Sequence, residues 1–393
     1  MKFVLILLLL FSGITPSLAT SQTTEKTRER FIIQSELLGE HREILVHLPK
    51  GYNASARSYP VIYLTDAEVH MDHTSASADF LYNQHKMPKS IIVGIVNTDR
   101  NRDLRPTPIN EQIGQTPTGA DLFLTFLEKE LMVEISKRYR TLPYKVLSGT
   151  SFGGLFTIHS FATKPELFNA YIAVSPSLWW DNKATLKHAA KTIKTIPMQF
   201  ANLAPRQIYI SLSNEPDMMT TPYGELVKFL AESKFEKLKS FNRRFPNENH
   251  NSGVLISQYK GFSDIFNIWE IPDAPQTLED LLTRYEAMSK QLETSIILPE
   301  DRAIGYGTWL YYLNRLDEAT EMFEWVIKTY PGSATGYHSL GLTYEKVGEI
   351  KKALNNFETS LSLSKMNGDP LSGTYSDSVE RASALLKDKE PAE

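Results

Sequence analysis

The chain has 393 residues, with 42 lysines and arginines against 46 aspartates and glutamates, for a formal net charge of −4. So even a balance does not suit binding of phosphate backbones by bulk charge, and no nucleic-acid partner is expected. With 41% apolar and 22% charged residues the composition is that of a globular protein. Cysteine is absent, which removes disulfides, thiol nucleophiles and thiolate metal sites together.

The first residues combine Lys2, an apolar run from Val4 to Phe11 and a small-x-small ending at Ser17-Leu18-Ala19. This pattern predicts a secretory leader over residues 1–19, an uncleaved anchor being the competing reading. The mature protein is then expected to be exported, periplasmic or secreted, with no membrane insertion and with core packing as its main source of stability.

From Phe31 to about Ile271, β-rich runs alternate with helical stretches. Strands are predicted at Arg42 to Leu48, Pro60 to Thr65, Ser90 to Asn97, Tyr144 to Leu147, Tyr171 to Val174 and Gln207 to Leu212, with a weaker one at Ser240 to Phe245. Several are apolar on both faces, as a sheet covered by helices on both sides requires. The clearest helix spans Asp121 to Arg138, with Leu122, Leu124, Phe126, Leu127, Leu131, Val133 and Ile135 expected on its buried face. Strand and helix in alternation predict an α/β fold with a mainly parallel sheet, over residues 20–275.

Beyond the proline pair Pro272 and Pro275 the β-rich runs stop. A helical linker is predicted over 276–300 and a helical unit over 301–393, where Gly307, Ala319 and Phe323 recur as Gly341, Ala353 and Phe357 at a spacing of 34. That period, with Pro331 closing the first copy and Tyr344 supplying an aromatic in the second, resembles the tetratricopeptide repeat. Lys365 stands where the second copy would carry its proline, and Leu310 where the first would carry its aromatic. Two degenerate copies are fewer than a free-standing solenoid needs, so the unit is expected to lean on the α/β domain, with Thr374 to Leu386 as a capping helix.

Chemistry concentrates at Gly149-Thr150-Ser151-Phe152-Gly153-Gly154, after a predicted strand and before a predicted helix. This is the setting of a G-x-S-x-G nucleophile elbow, which exposes the serine and lets the next amide, that of Phe152, face a developing oxyanion. A serine needs a base, and in this fold the base follows both serine and acid in the chain. Of the histidines after Ser151, His159 lies on the helix leaving the elbow, His188 in an Ala- and Lys-rich helix and His338 in the repeats. His250, in the loop after the last strand, remains. The acid belongs at a strand end between them, where Glu215 and Asp217 are both available. A covalent mechanism of this kind requires no cofactor and no metal.

These segments carry a resemblance. The elbow, Tyr63-Leu64-Thr65-Asp66, the stretch Val93 to Thr98 followed by Arg100, Arg102, Asp103 and Leu104, and Ser175-Pro176-Ser177-Leu178-Trp179-Trp180 are similar to the putative-esterase family. This is the α/β-hydrolase branch that holds esterase D, the antigen 85 mycolyltransferases and the enterobactin-type siderophore esterases. The likeness covers roughly Arg42 to Ile271 and is greatest to the siderophore-esterase-like members. It implies Ser151 as nucleophile, His250 as base and, from the match of Glu215-Pro216, Glu215 as the acid. It also implies the Glu68 amide as second oxyanion donor, with Ala67 replacing the family's usual glycine.

Arg100, Arg102 and Arg105 crowd one loop after a strand. Arg100 and Arg102 are candidates to hold an anionic or catecholate substrate, a local salt-bridge cluster with Asp99 and Asp103 being the alternative. Trp179 and Trp180 are candidates to wall an aromatic pocket. The expected activity is hydrolysis of carboxylic esters, siderophore-type or other aromatic esters among them. The rival readings are acyl transfer by the same triad and a non-enzymatic platform that binds a protein partner through the helical repeats.

Overall fold

The computed structural model describes residues 27–53, 55–106, 119–199, 204–272, 274–369 and 371–387. The predicted leader lies outside them. The α/β part is built on one eight-stranded sheet: β1 (Arg28–Ser35), β2 (Glu40–His47), β3 (Tyr59–Leu64), β4 (Ile91–Ile95), β5 (Thr141–Thr150), β6 (Ala170–Val174), β7 (Arg206–Ser213) and β8 (Leu238–Phe245). Its order is β1-β2-β4-β3-β5-β6-β7-β8, antiparallel at the β1, β2 and β4 pairings and parallel from β4 onward. Strands β3, β4, β6 and β7 are buried along their whole length, which is why they read as unbroken apolar runs. β1 carries no such signal: it is an edge strand, alternately exposed, and no strand was predicted there.

The helices in chain order are α1 (Ala67–Asn83), α2 (Arg100–Leu104), α3 (Ala120–Phe126), α4 (Met132–Arg138), α5 (Phe152–Thr163), α6 (Trp180–Gln199), α7 (Asp217–Ala231) and α8 (Gly253–Ile265). One apolar core lies on the sheet face that packs against α3 to α7, and a second lies on the opposite face, against α1 and α8. The helix predicted over Asp121 to Arg138 is continuous, but a π-helical turn at Leu127–Leu131 separates α3 from α4. An extra residue in a turn rotates the face that follows it, and Val133, beyond the turn, is exposed; before the turn Phe123 is in the core and Leu122 is exposed.

The helical part comprises α9 (Leu278–Leu292), α10 (Glu300–Tyr312), α11 (Leu316–Thr329), α12 (Ala334–Lys346), α13 (Ile350–Asn367) and α14 (Ser372–Lys387). α9 starts from a reciprocal Thr277–Asp280 capping box. It docks on the sheet domain: Leu292 joins the second core, and the Gln291 amide donates to Ile265 O (2.8 Å) and Gln207 Oε1 (3.1 Å). The stretch expected as a linker is therefore a packed joint. Among the described residues no helix is long and apolar enough to cross a membrane.

Candidate active site

Strand β5 delivers the chain to Ser151 and α5 carries it away. Ser151 has φ 60° and ψ −114°, outside the regions open to ordinary L-residues, a conformation that costs about 1–3 kcal/mol. Local packing holds it: the Ser151 amide donates to Val174 O (2.9 Å), and the Ser151 carbonyl accepts from Leu155 N (2.9 Å) and Ser177 N (3.1 Å). The surrounding glycines are a matter of space. A Cβ on Gly149 would collide with the Gly153 carbonyl, and one on Gly153 would collide with Thr65 Oγ1. Only a strand and helix without side chains at those points can pass so closely.

The Ser151 hydroxyl lies 3.3 Å from the Ser177 hydroxyl. Phe152 opens α5, so its amide is among the first-turn donors that have no intrahelical acceptor. Glu68 occupies the equivalent first turn of α1. The backbone entering α1 is left-handed at Asp66 (φ 57°), one residue before the Ala67 that replaces the usual glycine, so the loop turns without requiring glycine at 67.

Strand β7 ends at Ser213, and the next turn places Glu215 inward and Asp217 outward, at the start of α7. The Glu215 side chain is 2% exposed. One of its carboxylate oxygens accepts from Ser175 Oγ (2.5 Å) and the other faces His250 Nδ1 at 3.1 Å. Burial pushes the Glu215 carboxyl upward, but hydrogen bonds from His250 and Ser175, with the charge of the imidazole, outweigh it and hold the group below its ordinary value. His250 sits on a tightly tied loop: Asn249 Oδ1 accepts from the amides of Asn251 and Ser252, and Ser252 Oγ donates to Glu248. Of the two acids left open by spacing, the one that meets the imidazole is Glu215. The role of Ser175, which orients the acid, was not legible; its only sequence signal is the Ser-Pro-Ser that follows β6.

The remaining histidines after Ser151 are engaged elsewhere. His159 pairs with Asp121 (2.7 Å), His338 with Ser378 (3.0 Å), and His188 stacks edge-on against His159.

The arginine stretch is a short helix, α2, rather than a loop. Asp99 caps it, accepting from the Arg102 amide (3.0 Å), and so is not the ion-pair partner that was expected. Arg102 must be corrected as a substrate-binding candidate: its guanidinium is committed to Glu40 (2.7 Å) and Asp103 (2.7 Å), in a network around the fully buried Arg42. Arg100 pairs with Asp66 through Nε (2.6 Å) and Nη2 (3.0 Å). Arg105 lies over the Trp180 ring at 4.7 Å and the Phe152 ring at 5.7 Å. Trp180 also needs correction, since it is 4% exposed and packs edge-on under Phe152 (5.1 Å). Its place is beneath the elbow, not on an open pocket wall. Trp179, partly buried, stacks against both.

A mainly parallel sheet, a strained serine between strand and helix, and an acid and histidine that follow the last two strands, β7 and β8, define an α/β-hydrolase. The chain belongs to the Putative esterase family, whose profile matches residues 35–253. It is 28% identical over 233 residues to the ferri-bacillibactin esterase BesA of Bacillus subtilis, covering 52% of this chain and 78% of that protein. To the siderophore triacetylfusarinine C esterase of Aspergillus fumigatus it is 32% identical over 148 residues, 35% of this chain and half the length of that relative. Among solved structures, the IroE-like serine hydrolase from Shewanella oneidensis superposes with a TM-score of 0.65 at 28% identity, covering 77% of this chain and 99% of that one.

Proposed function

We propose that the protein is an exported serine hydrolase of carboxylic esters, acting on siderophore-type substrates. The observation that carries this reading is the buried Glu215 held against His250 Nδ1 beyond the ends of β7 and β8, in a sheet whose parallel strand β5 ends at the strained Ser151. Ser151 Oγ attacks the ester carbonyl while His250 takes its proton through Nε2. The tetrahedral oxyanion is received by the Phe152 and Glu68 amides. The bond to the alcohol breaks as His250 returns the proton to it, and water then releases the acid by the same two steps in reverse roles. Glu215 keeps the imidazole oriented and balances its charge when it is protonated.

The substrate class is supported by the names of the relatives and by the partly buried rings of Phe152 and Trp179, with the Arg105 guanidinium over Phe152, groups suited to planar anionic rings. The leader-like residues 1–19 support export. We read α10 to α13 as two tetratricopeptide-like pairs, in which Phe323 and Phe357 fill the space left by Gly307 and Gly341.

Ser151→Ala is expected to lower hydrolysis of p-nitrophenyl acetate and of a ferric catecholate ester by roughly 10⁴-fold or more, with free acid as the wild-type product even when alcohol is added. An unchanged rate in this variant would refute the mechanism.

A further inference from the structure

Arg100 stands where three segments of the site meet. Its Nε and Nη2 grip the Asp66 carboxylate at 2.6 and 3.0 Å, Nη2 also reaches Thr150 O at 3.4 Å, and the guanidinium lies 5.6 Å from the centre of the Phe152 ring. Asp66 precedes α1 and Thr150 precedes the nucleophile. The one cation therefore ties the entrance of α1 to the elbow on both sides of Ser151.

Asp66 is in the left-handed region and 4% exposed in its side chain, and it does not cap its own helix. Its carboxylate is taken instead by Arg100 and by Asn97 Nδ2 (2.6 Å), and Asn97 Nδ2 and the Asn97 amide reach on to the Glu68 carboxylate (2.6 and 3.3 Å). On its other side Asp66 Oδ2 comes so close to α5 that a Cβ on Gly153 would stand 3.1 Å from it. An unfavourable backbone conformation persists where its surroundings over-determine it, and these contacts supply that constraint.

We propose that Arg100 is a positioning residue, which holds the two oxyanion donors in register through Asp66 and Thr150, and is not a receptor for substrate anions. Two of its nitrogens are already spent on the protein, and an approaching anion would meet the Asp66 carboxylate behind the same guanidinium. This rests on the ester-hydrolase reading above, and the two are separable by experiment. Loss of activity in Ser151→Ala tests that reading alone.

Arg100→Gln, Arg100→Lys and Asp66→Asn are to be compared on p-nitrophenyl acetate and on a p-nitrophenyl ester bearing a carboxylate, with affinity for a neutral arylboronic acid measured as a mimic of the tetrahedral state. Displacing a preorganised donor by a fraction of an ångström is worth roughly 10- to 100-fold. Arg100→Gln is expected to lose about that factor in kcat on both esters, with KM near the wild-type value and boronate affinity reduced in parallel. Arg100→Lys should recover part of the loss, and Asp66→Asn should reproduce it. If Arg100→Gln instead keeps kcat on the acetate and raises KM for the carboxylate-bearing ester alone, Arg100 is an anion receptor and the proposal fails. Should Arg100→Gln be poorly folded by circular dichroism, the Arg100→Lys and Asp66→Asn kinetics decide between the two roles by the same split of kcat against KM.

Discussion

Glu215 and Asp217 stand two positions apart, and burial separates their chemistry. Asp217 is exposed at the start of α7, whereas Glu215 points inward to His250 and Ser175. Glu215→Gln is expected to lower kcat by roughly 10³–10⁴-fold, the cost of leaving the imidazole wrongly paired, and Asp217→Asn to leave the rate near wild type, both read from initial rates on a p-nitrophenyl ester. Because the folded-state value of Glu215 is held below its ordinary 4.5, the carboxylate contributes stability that is present above that value and lost as pH falls through the depressed one. Urea unfolding of Glu215→Gln should accordingly fall off less steeply in acid than that of the wild type. The serine was legible because its signal is local, a strand, a turn and a helix within a dozen residues. The histidine followed by elimination. The acid was not legible from spacing, since which of two neighbouring carboxylates turns inward is set by the path of the chain around Pro216.

Helix pairing in the C-terminal part depends on glycines that admit a ring. Phe357 is fully buried, and a Cβ on Gly341 would stand 2.5 Å from its ring, whereas nothing lies within 4 Å of one on Gly305 in α10. Gly341→Ala is therefore expected to destabilise by about 1–3 kcal/mol through overpacking. Gly305→Ala should stabilise by about 0.5–1 kcal/mol through helix propensity, with both read from chemical denaturation. Here the 34-residue recurrence of Gly, Ala and Phe was an accurate guide to which residues meet, since a repeat is a packing relation written into sequence. The helix from Ala120 to Arg138 shows the opposite case. Its existence was plain, but the π-helical turn at Leu127–Leu131, and the burial of Phe123 in place of Leu122, depend on how the helix fits its neighbours.

The two parts of the protein are joined by α9 rather than strung together. Gln291 on that helix donates to Gln207 and Ile265 and accepts from Trp269 Nε1 (3.2 Å), so one amide connects β7, α8 and the helical part. Gln291→Leu leaves Trp269 Nε1 unpaired and strips one bond each from Gln207 Oε1 and Ile265 O, which keep those from Tyr144 OH and Gln207 Nε2, and is expected to cost about 1–3 kcal/mol. The unfolding transition should move to lower denaturant for the sheet domain and the helical part together. A spectroscopic change confined to the helical part would contradict the joint.

From its sequence alone the chain could be read as an α/β sheet followed by helices, with an elbow at Ser151 and a histidine at 250. These rest on periodicity, glycine spacing and strand order, which are properties of neighbouring residues. Glu215 was named from the family match but not from spacing; its contact with His250, the burial of Trp180, the commitment of Arg102 to Glu40 and Asp103, and the grip of Arg100 on Asp66 belong to three dimensions. Each joins segments tens of residues apart, and which charges meet or rings are covered is fixed only when the sheet brings the ends of its strands together.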